Sequence, residues 1–237
     1  MARFVLVHGA FHGAWCWRFV AEILRARGHE VSAPTLTGLG ERRHLLSPRV
    51  EMQTFCADVL NHLRYEDARE AVLVGHSFAG APISKAAELA PERVARLVYL
   101  DAMLLEGDET PFDVFPPATR ATREALAHAH DGGVSIPPPA PESFGVGDPA
   151  QAAWLAERLT PHPLATYRTA ARLGRPPGAG FAKVYVHCVA PDYAPLRWAA
   201  ARAREAGWPI QTLAAGHDAM VTAPQAVADL LEREAAA

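Results

Sequence analysis

Val72-Leu73-Val74-Gly75-His76-Ser77-Phe78-Ala79-Gly80 decides the reading of this chain. Three consecutive apolar residues suit a strand covered on both faces. A Gly-x-Ser-x-Gly turn follows, and the apolar-periodic stretch Phe78–Leu89 reads as a helix. A serine on so sharp a strand-to-helix turn sits in a cramped backbone, so its neighbours must be small. Gly75 and Gly80 give that clearance, helped by Ala79 and Ala81. The turn lifts the Ser77 hydroxyl above a sheet edge and puts the Phe78 N–H at a helix start, where the helix dipole favours negative charge. Ser77 is therefore the candidate nucleophile and Phe78 a candidate oxyanion donor.

Working outward, short β-branched runs alternate with longer helical stretches. The strands expected are Phe4–His8, Glu30–Pro34, Ala71–Val74, Leu97–Leu100, Lys183–Val189 and Pro209–Leu213. The helices expected are Trp15–Arg27, Met52–Leu63, Phe78–Leu89, Leu196–Ala206 and Pro224–Glu234, the last with Thr222 as N-cap. The alternation predicts an α/β fold with a mostly parallel sheet of about six strands and helices on both faces. Residues 104–182 break the rhythm with prolines and aromatics, and with helical patches at Ala150–Leu159 and Leu164–Leu173. A structureless loop of that length is unusual in a compact domain. We read it as a helical cap, inserted between the Leu97–Asp101 and Lys183–Val189 strands, over a core of residues 1–103 and 183–237.

Two further segments carry chemistry. The strand Phe4–His8 runs into Gly9-Ala10-Phe11-His12-Gly13-Ala14-Trp15, a loop of small residues able to turn the Ala10 N–H toward a reacting carbonyl. His8 and His12 are expected to hold this loop by hydrogen bonds. Near the C-terminus, Gly216-His217-Asp218 follows the last expected strand, and the order serine, acid, histidine suits such a fold. The imidazole of His217, with an ordinary pKa near 6.5, is the candidate base. Two residues compete for the acid: Asp192, after the Lys183–Val189 strand, held slightly ahead, and Asp101, at the end of Leu97–Leu100. Candidate pocket walls are Phe11, His12, Phe78, Phe112, Phe115 and Trp154, since ligand sites are mostly apolar.

The bulk composition sets limits. The 237 residues are half hydrophobic and carry a net charge of −3, with acids and bases interspersed. No basic stripe points to nucleic acid, and no apolar run is long enough to span a bilayer. The run Phe4–Val7 is too short for a signal-peptide core. Three widely spaced cysteines, Cys16, Cys56 and Cys188, suggest reduced thiols in a cytoplasmic protein. Gly38-Leu39-Gly40 lacks the third glycine of a dinucleotide loop, so neither a cofactor nor a metal is expected. The partner expected is a small-molecule ester, and a homodimer is compatible with the sequence.

Leu6-Val7-His8-Gly9-Ala10, His12-Gly13-Ala14-Trp15, the Ser77 turn and Gly216-His217-Asp218-Ala219-Met220 together resemble the plant methylesterase/hydroxynitrile lyase family of α/β-hydrolase-fold proteins and its bacterial esterase relatives. The resemblance covers nearly the whole chain, loosely in the cap. It implies Ser77 as nucleophile, His217 as base, and Ala10 and Phe78 as oxyanion donors. The family's plant members place the acid after the strand matching Lys183–Val189, whereas here Cys188-Val189-Ala190-Pro191 precedes Asp192, which leaves Asp101 open. The family's lyases carry threonine at the position of Gly9 and lysine at that of Asp218. A carboxylate there would repel a departing anion. Ester hydrolysis through an acyl-enzyme is thus the expectation, with cyanohydrin cleavage and a non-catalytic ligand receptor as alternatives.

Overall fold

The computed structural model describes residues 1–237. Eight strands occur in chain order: β1 (Arg3–Val7), β2 (Glu30–Ser32), β3 (Ala71–His76), β4 (Val94–Leu100), β5 (Ser135–Ile136), β6 (His162–Pro163), β7 (Ala182–Cys188) and β8 (Ile210–Leu213). Six form one parallel sheet in the order β2-β1-β3-β4-β7-β8, while β5 and β6 pair antiparallel in the insert. Side chains alternate across each strand with period two. Val5, Val7, Leu73, Leu97, Tyr99 and Tyr185 enter one buried cluster. Phe4, Leu6, Val72, Val74, Val98, Leu100, Val184 and Val186 enter the other. Both faces are dry, which is why these strands read as nearly unbroken apolar runs.

The helices are α1 (Arg18–Ala26), α2 (Met52–Tyr65), α3 (Gly80–Leu89), α4 (Pro111–Val114), α5 (Pro117–Asp131), α6 (Pro149–Ala156), α7 (Ala165–Arg168), α8 (Arg197–Glu205), α9 (Ala219–Thr222) and α10 (Pro224–Ala236). Residues of α1, α9 and α10 cover one face of the sheet. Those of α2, α3, α8 and the insert cover the other.

Three local expectations are corrected. The helix expected from Trp15 opens with a tighter 3₁₀ turn, Ala14–Trp17, before α1. Thr222 does not cap α10: it closes α9, its hydroxyl donates to the Asp218 carbonyl, and Ala223 is the N-cap. The patch expected to run from Leu164 to Leu173 is helical only over α7, because Thr169 is extended.

The longest helix of the insert, α5, is not among the expected elements. Ala127 is its only buried residue, so it has no apolar stripe to detect. Its ends were nonetheless marked, by Pro117 at the first helical position and by Gly132 in the left-handed conformation just past the last.

Parallel strands deliver their C-terminal ends to one edge of the sheet, where open α/β sheets place ligands. The loop Gly9–Gly13, Ser77, Asp101 and the segment holding His217 all leave from that edge. Phe11, Ser77 and Asp101 each have positive φ there, at 68°, 54° and 43°. Such conformations are costly for residues with a side chain and persist where the surroundings fix them.

Candidate active site

Ser77 stands in the left-handed region at the β3–α3 junction. Its carbonyl accepts from Met103 N–H at 2.8 Å, which fixes the bend from the chain that leaves β4. A Cβ on Gly80 would lie 2.0 Å from the Met103 carbonyl oxygen. One on Gly75 would lie 2.7 Å from Ile83, and one on Gly9 2.7 Å from the Ser77 Cβ. Three glycines therefore make the room in which the serine turns.

His217 reaches this serine from far along the chain. Its Nε2 lies 2.8 Å from Ser77 Oγ, and its Nδ1 lies 2.7 Å from Asp101 Oδ2. The carboxylate can only accept, so Nδ1 carries the proton and Nε2 is free to accept the hydroxyl hydrogen. All three side chains are buried. Asp101 is held by its own N–H, which donates to the Val186 carbonyl at 2.7 Å.

Asp192, the acid placed slightly ahead from the sequence, is elsewhere. It accepts from His187 Nε2 at 3.0 Å and from Arg197 Nε. A short turn pairing Val189 with Asp192 points the carboxylate back along its own strand and toward α8. The next residue is the one that reaches the site: the Tyr193 ring lies on the His217 ring.

The loop after β1 is pinned by histidines. His8 Nδ1 donates to the Gly9 carbonyl and its Nε2 accepts from Leu36 N–H, so the ring is neutral. Burial drives its pKa down to about 3, against the Gly9 hydrogen bond. His12 is the opposite case. Its Nδ1 faces the Ala10 carbonyl at 2.7 Å and its Nε2 faces Asp218 Oδ2 at 3.0 Å. Both partners accept, so both nitrogens must carry protons. Burial opposes that charge, but Asp218 and the Ala10 carbonyl outweigh it and raise the pKa. Asp218 is wholly buried behind His217 in this pairing. It does not line the cavity, and its charge is paired with His12.

The insert closes the loop from above. Phe11 N–H donates to His162 Nδ1 at 3.3 Å, and the Phe11 carbonyl accepts from Thr160 N–H at 2.9 Å. The Ala10 N–H beside it donates to no protein group. Burial holds His162 well below its ordinary pKa.

Ala10, Phe11, His12, Ser77, His217, Phe115, Phe144, Tyr167, Tyr193 and Arg123 line a narrow cavity at this edge. Its volume is about 20 Å³, room for about one water molecule. Phe78, Phe112 and Trp154 are not among the walls. Phe78 packs against Phe55 and His162. Phe112 packs against Tyr167, and Trp154 against Trp15 and Phe19. The aromatics of the insert were visible in the sequence, but nothing there tells which of them face the serine.

A model of the alpha/beta hydrolase family matches residues 4–230. A carbendazim hydrolyzing esterase from Nocardioides sp. (strain SG-4G) is 35% identical over 240 residues, spanning 98% of each chain. The chain belongs to the α/β hydrolase family. Methylesterase 7 of Arabidopsis thaliana is 36% identical over 115 residues, 48% of this chain and 44% of its own length. In fold, this α/β hydrolase is similar to an extracellular alpha/beta-hydrolase from a Paenibacillus species, with TM-score 0.82, 24% identity and 99% of each chain covered.

Other chemistries have weaker footing in this hydrolase. His76, His217 and Asp218 bring ligand-type atoms within 4.8 Å of one another. However, both His217 nitrogens are engaged by Ser77 and Asp101, and His76 Nε2 donates to the His217 carbonyl. His76 Nδ1 and Asp218 Oδ1 are the buried atoms of this group left without a hydrogen bond. The cysteines are free and buried. Burial pushes the Cys56 thiol up to about 12 and raises Cys16 and Cys188 as well, the reverse of what a nucleophilic thiolate needs. No helix is long and apolar enough to cross a membrane.

Proposed function

We propose that this α/β hydrolase cleaves a carboxylic ester of a small apolar substrate through Ser77, His217 and Asp101. The reading is carried by the chain of hydrogen bonds Ser77 Oγ to His217 Nε2 and His217 Nδ1 to Asp101 Oδ2. His217 takes the Ser77 proton as the oxygen attacks the ester carbonyl. Asp101 keeps the imidazole in the right tautomer and stabilises its charged form. The Ala10 and Phe78 N–H groups receive the oxyanion. The alcohol leaves with the proton from His217, and water then frees the acid. The names of the relatives, carbendazim hydrolyzing esterase and methylesterase, support ester hydrolysis.

Residues 104–182 act as the cap and supply apolar walls, with Phe115, Phe144 and Tyr167 over the serine. A cavity this narrow requires cap side chains to move before an ester enters. Hydrolysis is favoured over lyase chemistry by Gly9: a side chain there would meet the Ser77 Cβ, so the threonine of the lyases does not fit this loop as it stands.

A screen of small methyl, aryl and thioesters, with Ser77→Ala as control, tests the reading. Turnover with an initial burst of alcohol, lost in Ser77→Ala, is expected. Full activity in that variant would end it.

A further inference from the structure

Arg123, on α5 of the insert, lines the same cavity as Ser77 and His217. Its Nη1 is buried and makes no hydrogen bond. Its guanidinium carbon lies 4.6 Å from the Phe115 ring centroid and 4.7 Å from that of Tyr167. No carboxylate comes within ion-pair distance of it, although two neighbouring arginines, Arg120 and Arg168, share Glu124. The ester mechanism makes no use of this cation.

Cation–π contacts hold an arginine in place but do not satisfy its N–H groups. Arg123 as a whole is half-buried, but its Nη1 is a buried donor without an acceptor, which is unfavourable. A ligand acceptor entering the cavity would complete this donor. A guanidinium offers a planar fork of donors that matches a carboxylate and also serves a neutral carbonyl. An aromatic ring bearing that acceptor would have Phe115, Phe144 and Tyr167 to pack against.

We propose that Arg123 is a specificity-determining residue, receiving a second acceptor group of the substrate, best an ionised carboxylate, while the ester carbonyl lies at Ser77. The inference rests on the esterase reading. It names the preferred substrates as esters of aromatic acids that carry another oxygen acceptor, the half-esters of diacids above all.

The test compares the monomethyl and dimethyl esters of phthalic, isophthalic and terephthalic acids with the methyl toluates, which replace the second acceptor by a methyl group. In the wild type, at least one half-ester is expected to exceed its toluate by tenfold or more in kcat/KM, and the matching diester by less. Arg123→Met is expected to abolish both preferences, mainly through KM, and Arg123→Lys to keep part of the half-ester preference. Fluorophosphonate labelling of Ser77 in each variant separates lost recognition from a lost fold. Equal preference ratios in the wild type and Arg123→Met would overturn the proposal, as would a wild type that favours no acceptor-bearing ester. A wild type that cleaves no ester at all and leaves Ser77 unlabelled would instead remove the esterase reading beneath it.

Discussion

The ring of Tyr193 lies on the imidazole of His217, with centroids 3.9 Å apart and planes 17° from parallel. The Phe144 ring lies beside this stack, 6.2 Å from His217 and 6.5 Å from Tyr193. Gly145 and Gly216 meet backbone to backbone just behind, where a Cβ on either would find atoms at 2.9 Å. The base is thus held by hydrogen bonds at its two nitrogens and by the Tyr193 ring on one face. Aromatic contacts of this kind contribute about 0.5–1.5 kcal/mol. Tyr193→Ala is expected to lower kcat by roughly two- to tenfold, while Tyr193→Phe, which keeps the ring, stays near wild type. Steady-state kinetics on one ester would check both.

The acid assignment makes a sharp contrast. Asp101→Asn leaves the shape but disturbs the tautomer of His217, and an equivalent change elsewhere lowers kcat about 10⁴-fold. Asp192→Asn removes only a partner of His187 and Arg197 at the surface, so kcat is expected within about twofold of wild type. A large loss in Asp192→Asn with none in Asp101→Asn would reverse the assignment.

Much of this site was legible because its signals are local. The Ser77 turn needs small residues at fixed offsets, and those residues stand in the sequence at Gly75 and Gly80. The buried strands β3 and β4 declare themselves by apolar runs. The acid was not fixed, because Asp101 and Asp192 both follow strands that end at the same edge, and a single turn at Val189–Asp192 decides between them. Tyr193 and Arg123 were missed for a related reason. Their roles depend on how the loop after β7 and the insert fold back, and α5 has no apolar stripe to give it away.

Stability should peak near neutral pH, for two reasons of opposite sign. His8, His76 and His162 are buried neutral, with pKa values driven down by burial, that of His8 to about 3. Their unfolded values lie near 6.5. Below that the unfolded chain takes up protons the fold refuses, so stability is present above pH 6.5 and lost as pH falls toward the folded values. With three such groups the slope approaches about 4 kcal/mol per pH unit. His12 runs the other way. Its raised pKa gives a contribution that is complete below 6.5 and lost as pH rises through the folded value. Urea denaturation across pH 4–9 would show both limbs.

Removing Asp218 should abolish the alkaline limb. Asp218→Asn leaves His12 without its counter-charge, and breaking a buried pair costs about 3–5 kcal/mol. The variant is expected to lose that stability near pH 7 and to lose the alkaline slope with it. An unchanged slope would mean that His12 is not the group responsible.

Gly80→Ala is expected to destabilise by at least about 1–3 kcal/mol, since its Cβ would fall 2.0 Å from the Met103 carbonyl oxygen. Gly147→Ala, with nothing within 4 Å and no positive φ, serves as the neutral control. Thermal melts of the two variants give the comparison.

The central claim is that Ser77 is a nucleophile activated by His217. Mass spectrometry after treatment with a fluorophosphonate reads it out. The account predicts a single adduct on Ser77, formed at a rate that falls at least a hundredfold in His217→Ala. Active wild-type protein that cleaves esters with Ser77 unmodified, or that labels equally fast without His217, would contradict it.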